Sequence, residues 1–124
     1  DTYLFNRTYG LDTILDSDST AANKDVLQFG GDVANDQLWF SRNGNDLDIQ
    51  IIGTNDHVSI SNWFGGKQYH VEEIRAGNAK ILTDANVQNL VNAMASMTPP
   101  PTGQTTLTTA EHNALDPVII ASWS

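Results

Sequence analysis

Asp1, Asp12 and Asp25 each open the same short phrase, in Asp1-Thr-Tyr-Leu-Phe, Asp12-Thr-Ile-Leu-Asp and Asp25-Val-Leu-Gln-Phe. In each an acid stands one or two residues before an apolar residue that begins a short β-run. At Asp12 the phrase is preceded by Gly10-Leu11, giving Gly-x-Asp-x-apolar. That is half of the nonapeptide Gly-Gly-x-Gly-x-Asp-x-apolar-x, whose turn carboxylates bind calcium. The chemistry is hard-cation ligation: Ca2+ takes six to eight oxygens from carboxylates and backbone carbonyls. Asp is short and tolerates turns, so it brings its carboxylate close to those carbonyls. Asp1, Asp12 and Asp25 are therefore the candidate anchors, with Asp16 and Asp18 as candidates to complete a shell.

Charge agrees with that chemistry. The chain has 124 residues and a net charge of −9. Residues 1–56 hold ten of the fifteen acids, all Asp, against Arg7, Lys24 and Arg42, a local balance of −7. Such a surface repels nucleic acid and anionic lipid and favours a divalent cation. An acidic, merely solvated surface is the bland alternative for the same composition. The length suits one domain, and no apolar run reaches membrane-spanning length, so no membrane insertion is expected. There is no cysteine, which fits a secreted protein stabilised by metal and equally fits many cytosolic ones. The chain lacks an initiator Met and a signal peptide, and reads as a segment of a longer protein.

The elements that must position these residues fall into three zones. In 1–32, short β-runs (Tyr3–Phe5, Thr13–Asp16, Val26–Phe29) are separated by turns rich in Asp, Ser, Gly and Asn. The anchor aspartates are spaced by 11 and 13 residues, where a regular nonapeptide repeat would give nine. This predicts degenerate final coils of a roll. In 33–82, Gln37–Arg42, Leu47–Ile52 and His57–Asn62 alternate apolar and polar residues. Asn43-Gly44-Asn45-Asp46 and Gly53-Thr54-Asn55-Asp56 lie between them as turns, predicting an antiparallel meander. Tyr69–Arg75 and Lys80–Leu82 are expected to add two strands. In 83–124, Val87, Leu90, Val91 and Met94 recur at helical spacing after a cap at Thr83 or Asp84, predicting a helix over 84–97. Pro99-Pro100-Pro101 ends it. A second helix capped by Thr108 or Thr109 is expected to stop at Leu115, broken by Asp116-Pro117, before an apolar tail, Val118–Ser124.

Asp1-Thr-Tyr-Leu-Phe-Asn-Arg, Gly10-Leu-Asp-Thr-Ile-Leu-Asp, Asp25-Val-Leu-Gln-Phe-Gly, Leu38-Trp-Phe-Ser-Arg-Asn-Gly-Asn-Asp-Leu-Asp-Ile-Gln-Ile and Ile60-Ser-Asn-Trp-Phe resemble the haemolysin-type calcium-binding related domain found at the C-terminal edge of RTX (repeats-in-toxin) β-rolls. The resemblance spans residues 1–82 in ordered blocks. It implies a mainly β fold: the end of a parallel β-roll capped by an antiparallel β-meander, with one or two C-terminal helices. It implies Ca2+ in the roll turns, export from a bacterium to the extracellular space by type I secretion machinery, and a signal for that export in 83–124. It implies an upstream β-roll of the same chain as the partner, and we expect a monomer with no enzymatic activity. No complete nonapeptide is present, and Asn23-Lys24 stands where a glycine turn would precede Asp25.

Other residue types point to weaker chemistry. Trp39, Phe40, Trp63 and Phe64 suit a core cap that plugs the open end of a roll. The alternative is an exposed sugar platform, which would make the chain a carbohydrate-binding or adhesive β-module. His57, His70 and His112 lack zinc spacing. Glu72-Glu73 are adjacent in a strand and point to opposite faces, a poor arrangement for glycoside hydrolysis.

Overall fold

A computed structural model of the chain describes residues 2–6, 10–15 and 24–124. Among the described residues eight strands form two sheets: β1 Thr2–Phe5, β2 Leu11–Ile14, β3 Val26–Phe29, β4 Leu38–Asn43, β5 Asp46–Ile51, β6 His57–Ile60, β7 Glu73–Arg75 and β8 Ile81–Thr83. The first sheet runs β1-β3-β7-β8 and the second β2-β6-β5-β4. Two helices follow, α1 Asp84–Ala95 and α2 Thr109–Ser122. The protein is thus mainly β with two mixed sheets and two C-terminal helices.

The expected meander forms as β4-β5-β6. Asn43 pairs with Asp46 across a two-residue turn whose first residue, Gly44, has φ 63°. Glycine enters that left-handed region without a steric penalty. Leu47, Ile49 and Ile51 are fully buried on one face of β5, while Asp48 and Gln50 lie on the other. That alternation is the two-residue period of a half-buried strand.

The hairpin β7–β8 forms too, but it does not extend the meander. β7 pairs parallel with β3, matching Val26 to Glu73 and Leu27 to Ile74, and so joins the first sheet. Parallel pairing also links β1 to β3 and β2 to β6. The chain therefore passes from the first sheet (β1) to the second (β2) and back (β3). Gly77 serves this arrangement: a Cβ there would collide with the Gly30 carbonyl.

One core lies between the sheets. Register places Phe5, Leu27, Phe29, Ile74 and Leu82 of the first sheet, and Ile14, Val58, Ile60, Ile49 and Phe40 of the second, in a single buried cluster. Phe5 and Phe29 meet edge to face, with centroids 6.0 Å apart.

The two ends of the sheets differ. At one end stand the edge strands β8 and β4. There α1 buries Val87, Leu90, Val91 and Met94, and the Phe40 N–H of β4 donates to Met94 Sδ at 3.1 Å. Trp123 bridges to Leu82, and Ile81 and Ser124 exchange two backbone hydrogen bonds of 3.0 and 2.9 Å. At the other end β1 and β2 are the outermost strands of their sheets.

α2 corrects the expected break at Asp116-Pro117. The helix continues through Pro117 to Ser122, so Val118–Ser122 belongs to α2 and not to a separate apolar tail. Thr108 caps it in a reciprocal box with Glu111. Proline removes one intrahelical bond at a cost of about 3 kcal/mol. Burial of Leu115, Ile119 and Trp123 against the core offsets that cost.

Candidate functional site

The open end carries Asp12, one of the two candidate calcium ligands that the structure describes. Asp12 lies on β2 in register with Val58, which pairs with Ile49, which pairs with Phe40. Partners across a ladder share a face, so Asp12 heads a row whose other three members are core residues. It is exposed. It lines a cavity of about 320 Å³ with Tyr3, Phe5, Ile14, Leu27 and Val58, between the two outermost strands. A carboxylate on the inward face of an edge strand disfavours uncontrolled edge-to-edge pairing and puts a hard oxygen ligand at the mouth of the core. Leu4 and Leu11, on the same two strands, are 58% and 62% exposed.

Asp25 lies elsewhere. It is 4% exposed. Its N–H donates to Glu72 Oε1 at 2.9 Å, and its carbonyl accepts from the N–H groups of Glu72 and Glu73 at 3.0 and 3.2 Å. Lys24 pairs with Glu73, which also accepts from Arg75 at 2.8 and 3.0 Å. Hydrogen bonds from Lys24 and then Arg75 hold the Glu73 carboxyl below its usual range. Glu72 and Glu73 are thus both engaged in structural contacts.

Asp1, Asp16 and Asp18 lie outside the described residues. Among the described residues no three His, Cys, Asp or Glu side chains come together as a metal cluster.

The aromatic candidates divide by exposure. Trp39, Phe40 and Trp63 are 3%, 1% and 3% exposed. Phe40 packs against Trp123 at 6.2 Å, in the closed end. Phe64 is half-buried, with the Arg42 guanidinium 4.5 Å above its ring.

Each histidine has an aspartate partner: His57 with Asp48 at 2.8 Å, His70 with Asp84 at 3.1 Å, and His112 with Asp116 at 2.8 Å. His70 also stacks on Trp63 at 3.8 Å and contacts the Trp63 carbonyl at 2.8 Å. The hydrogen bond that His112 donates to the Asp116 carboxylate raises His112 above the usual imidazole range. Sequence reasoning missed Asp56, whose carboxylate accepts from Gly10 N–H at 2.9 Å. The signal was present: Asp56 stands two residues before Val58, as Asp12 stands two before Ile14.

The geometry defines a two-sheet domain with one end closed by helices and the other ending in two parallel-paired strands. Residues 46–85, from β5 through the start of α1, match the family model of the haemolysin-type calcium binding protein related domain. The chain is 34% identical over 93 residues, 73% of its length, to the iron-regulated protein FrpA of Neisseria meningitidis serogroup C. It spans 8% of that relative's length. Residues 46–85 therefore carry the haemolysin-type calcium binding protein related domain.

Proposed function

We propose that this chain is a non-catalytic, calcium-responsive cap at the C-terminal end of a β-roll in a secreted RTX-type protein. The observation that carries this reading is the difference between the two ends of the sheets. β1 and β2 both pair in parallel with their inner neighbours and leave their outer edges beside the cavity that Asp12 lines. An upstream coil laid across them would add one parallel strand to each sheet and pair their free edges. The opposite edges already carry α1 and Trp123, so growth stops there. In this reading residues 1–32 are the last coils, 33–82 complete the two sheets, and 83–124 is the lid.

Calcium would be held at the turns of the stacked coils, and this chain's candidate ligands are Asp1, Asp12, Asp16, Asp18 and Asp25. Of the two described, Asp12 is the one that faces the open mouth. Metal bound only in the folded state stabilises that state by mass action. The lid would also contain the signal for type I secretion, read before the chain folds. The sugar-platform alternative needs an exposed indole, and Trp39, Trp63 and Trp123 are 3%, 3% and 5% exposed.

The test is a calcium titration of the longer parent, followed by circular dichroism and melting temperature. Millimolar calcium should raise the melting temperature, and Asp12→Asn should reduce the increment. Indifference of the parent to both calcium and EGTA would refute the calcium-responsive cap. For the export signal, deleting 84–124 from the parent should abolish secretion; normal secretion would refute that part alone.

A further inference from the structure

We infer that Asp56 is a positioning residue: its carboxylate on the Gly10 amide sets the register of β2, the edge strand on which the next coil docks. The docking part rests on the cap reading above, whereas the register part rests on geometry alone. Asp56 ends the β5–β6 turn, and its own backbone is fixed to β5. Ile51 N–H donates to the Asp56 carbonyl at 3.0 Å, and Asp56 N–H donates to Thr54 Oγ1 at 3.0 Å. Thr54 Oγ1 in turn donates to the Ile51 carbonyl at 2.8 Å. From this braced position Asp56 Oδ1 accepts the Gly10 N–H at 2.9 Å. The next residue, His57, donates its N–H to the Gly10 carbonyl at 2.9 Å. Both backbone groups of Gly10 are thus held by two consecutive residues of the turn. Gly10 sits at φ 73°, a conformation that other residues adopt only with strain.

Register matters here because side chains alternate across a strand. The observed pairing sets Asp12 against Val58 and Ile14 against Ile60, both facing inward. A slip of one residue would turn Leu11 and Thr13 inward and send Asp12 and Ile14 to the outer face. β2 is four residues long, so its ladder alone specifies register weakly. A charge-assisted bond at its first turn adds a fixed starting point. The edge offered to an incoming coil then always has its carboxylate at the mouth of the core.

The experiment compares Asp56→Ala and Asp56→Asn by amide hydrogen exchange on this chain without calcium. The amides of His57 and Ser61, which donate to Gly10 just before β2 and to Ile14 at its end, should exchange about tenfold faster or more in Asp56→Ala. Amides within the β4–β5 hairpin should keep their protection. Asp56→Asn, which retains an acceptor oxygen, should recover most of the lost protection. Unchanged exchange at His57 and Ser61, equal loss across all strands, or no recovery by Asn would overturn the register role. In the parent protein, Asp56→Ala should raise the calcium midpoint several-fold; an unmoved midpoint overturns the link to docking. A wild-type parent with no calcium response would fail the cap reading, yet leave the exchange experiment to decide the register role.

Discussion

Removing the Trp123 side chain should cost most of the stability of the closed end. The indole is 5% exposed, packs against Phe40 at 6.2 Å and bridges to Leu82 beside the Ile81–Ser124 hydrogen bonds. Truncating a buried Trp to Ala costs about 3–5 kcal/mol. Part of that is returned, because Trp123 Nε1 is buried with no hydrogen-bond partner among the described residues. Relieving an unsatisfied donor returns on the order of 1 kcal/mol. The net loss is then about 2–4 kcal/mol, against a typical domain stability of about 5–15 kcal/mol. At a urea slope of about 2 kcal/mol per molar, the midpoint should fall by about 1–2 M. Trp123→Phe keeps an aromatic face for Phe40 and removes the unpartnered N–H, so it should stay within about 1 kcal/mol of the parent sequence. The assay is urea unfolding followed by far-UV circular dichroism, with amide exchange at Ile81 as a local readout. The reasoning fails if Trp123→Ala costs less than about 1 kcal/mol, or if Phe is as damaging as Ala.

The Glu73 carboxyl is depressed in the folded state by Lys24 and Arg75. Its contribution should be complete above the unfolded carboxyl value of about 4.3 and vanish as pH falls through the folded value. The deficit of Glu73→Gln at neutral pH should therefore shrink in acid; a deficit independent of pH would contradict the ion-pair account. His112 has the opposite sign. Its folded value is raised by Asp116, so its contribution is complete below about pH 6.5 and is lost as pH rises through the folded value. The effect of His112→Gln should accordingly be largest near pH 5 and fade in alkali. Pro117→Ala restores an N–H inside α2 and should raise the urea midpoint by an amount worth roughly 1–2 kcal/mol, after the loss of proline's stiffening of the unfolded chain. A lowered midpoint would show that the proline is needed where it stands.

The sequence by itself determined what local interactions decide. The β4–β5 hairpin was legible because a Gly-Asn turn and a two-residue alternation, Leu47, Ile49, Ile51, are properties of neighbouring residues. Helix α1 was legible because four apolar residues recur at helical spacing behind a cap, and Thr108 or Thr109 as a cap similarly announced the start of α2. Tertiary structure decided the rest. β7 joins β3 across 47 residues, and no local pattern states whether a strand pairs with the hairpin beside it or with one far upstream. Pro117 stays helical because Ile119 and Trp123 find a core that lies outside their own segment. The same distinction separates the candidate ligands. Asp12 and Asp25 share one phrase, yet the fold sets Asp12 at an open cavity and buries Asp25 against β7. Spacing along the chain selects side chains able to hold a cation. Only the pairing of distant strands fixes where each carboxylate ends up.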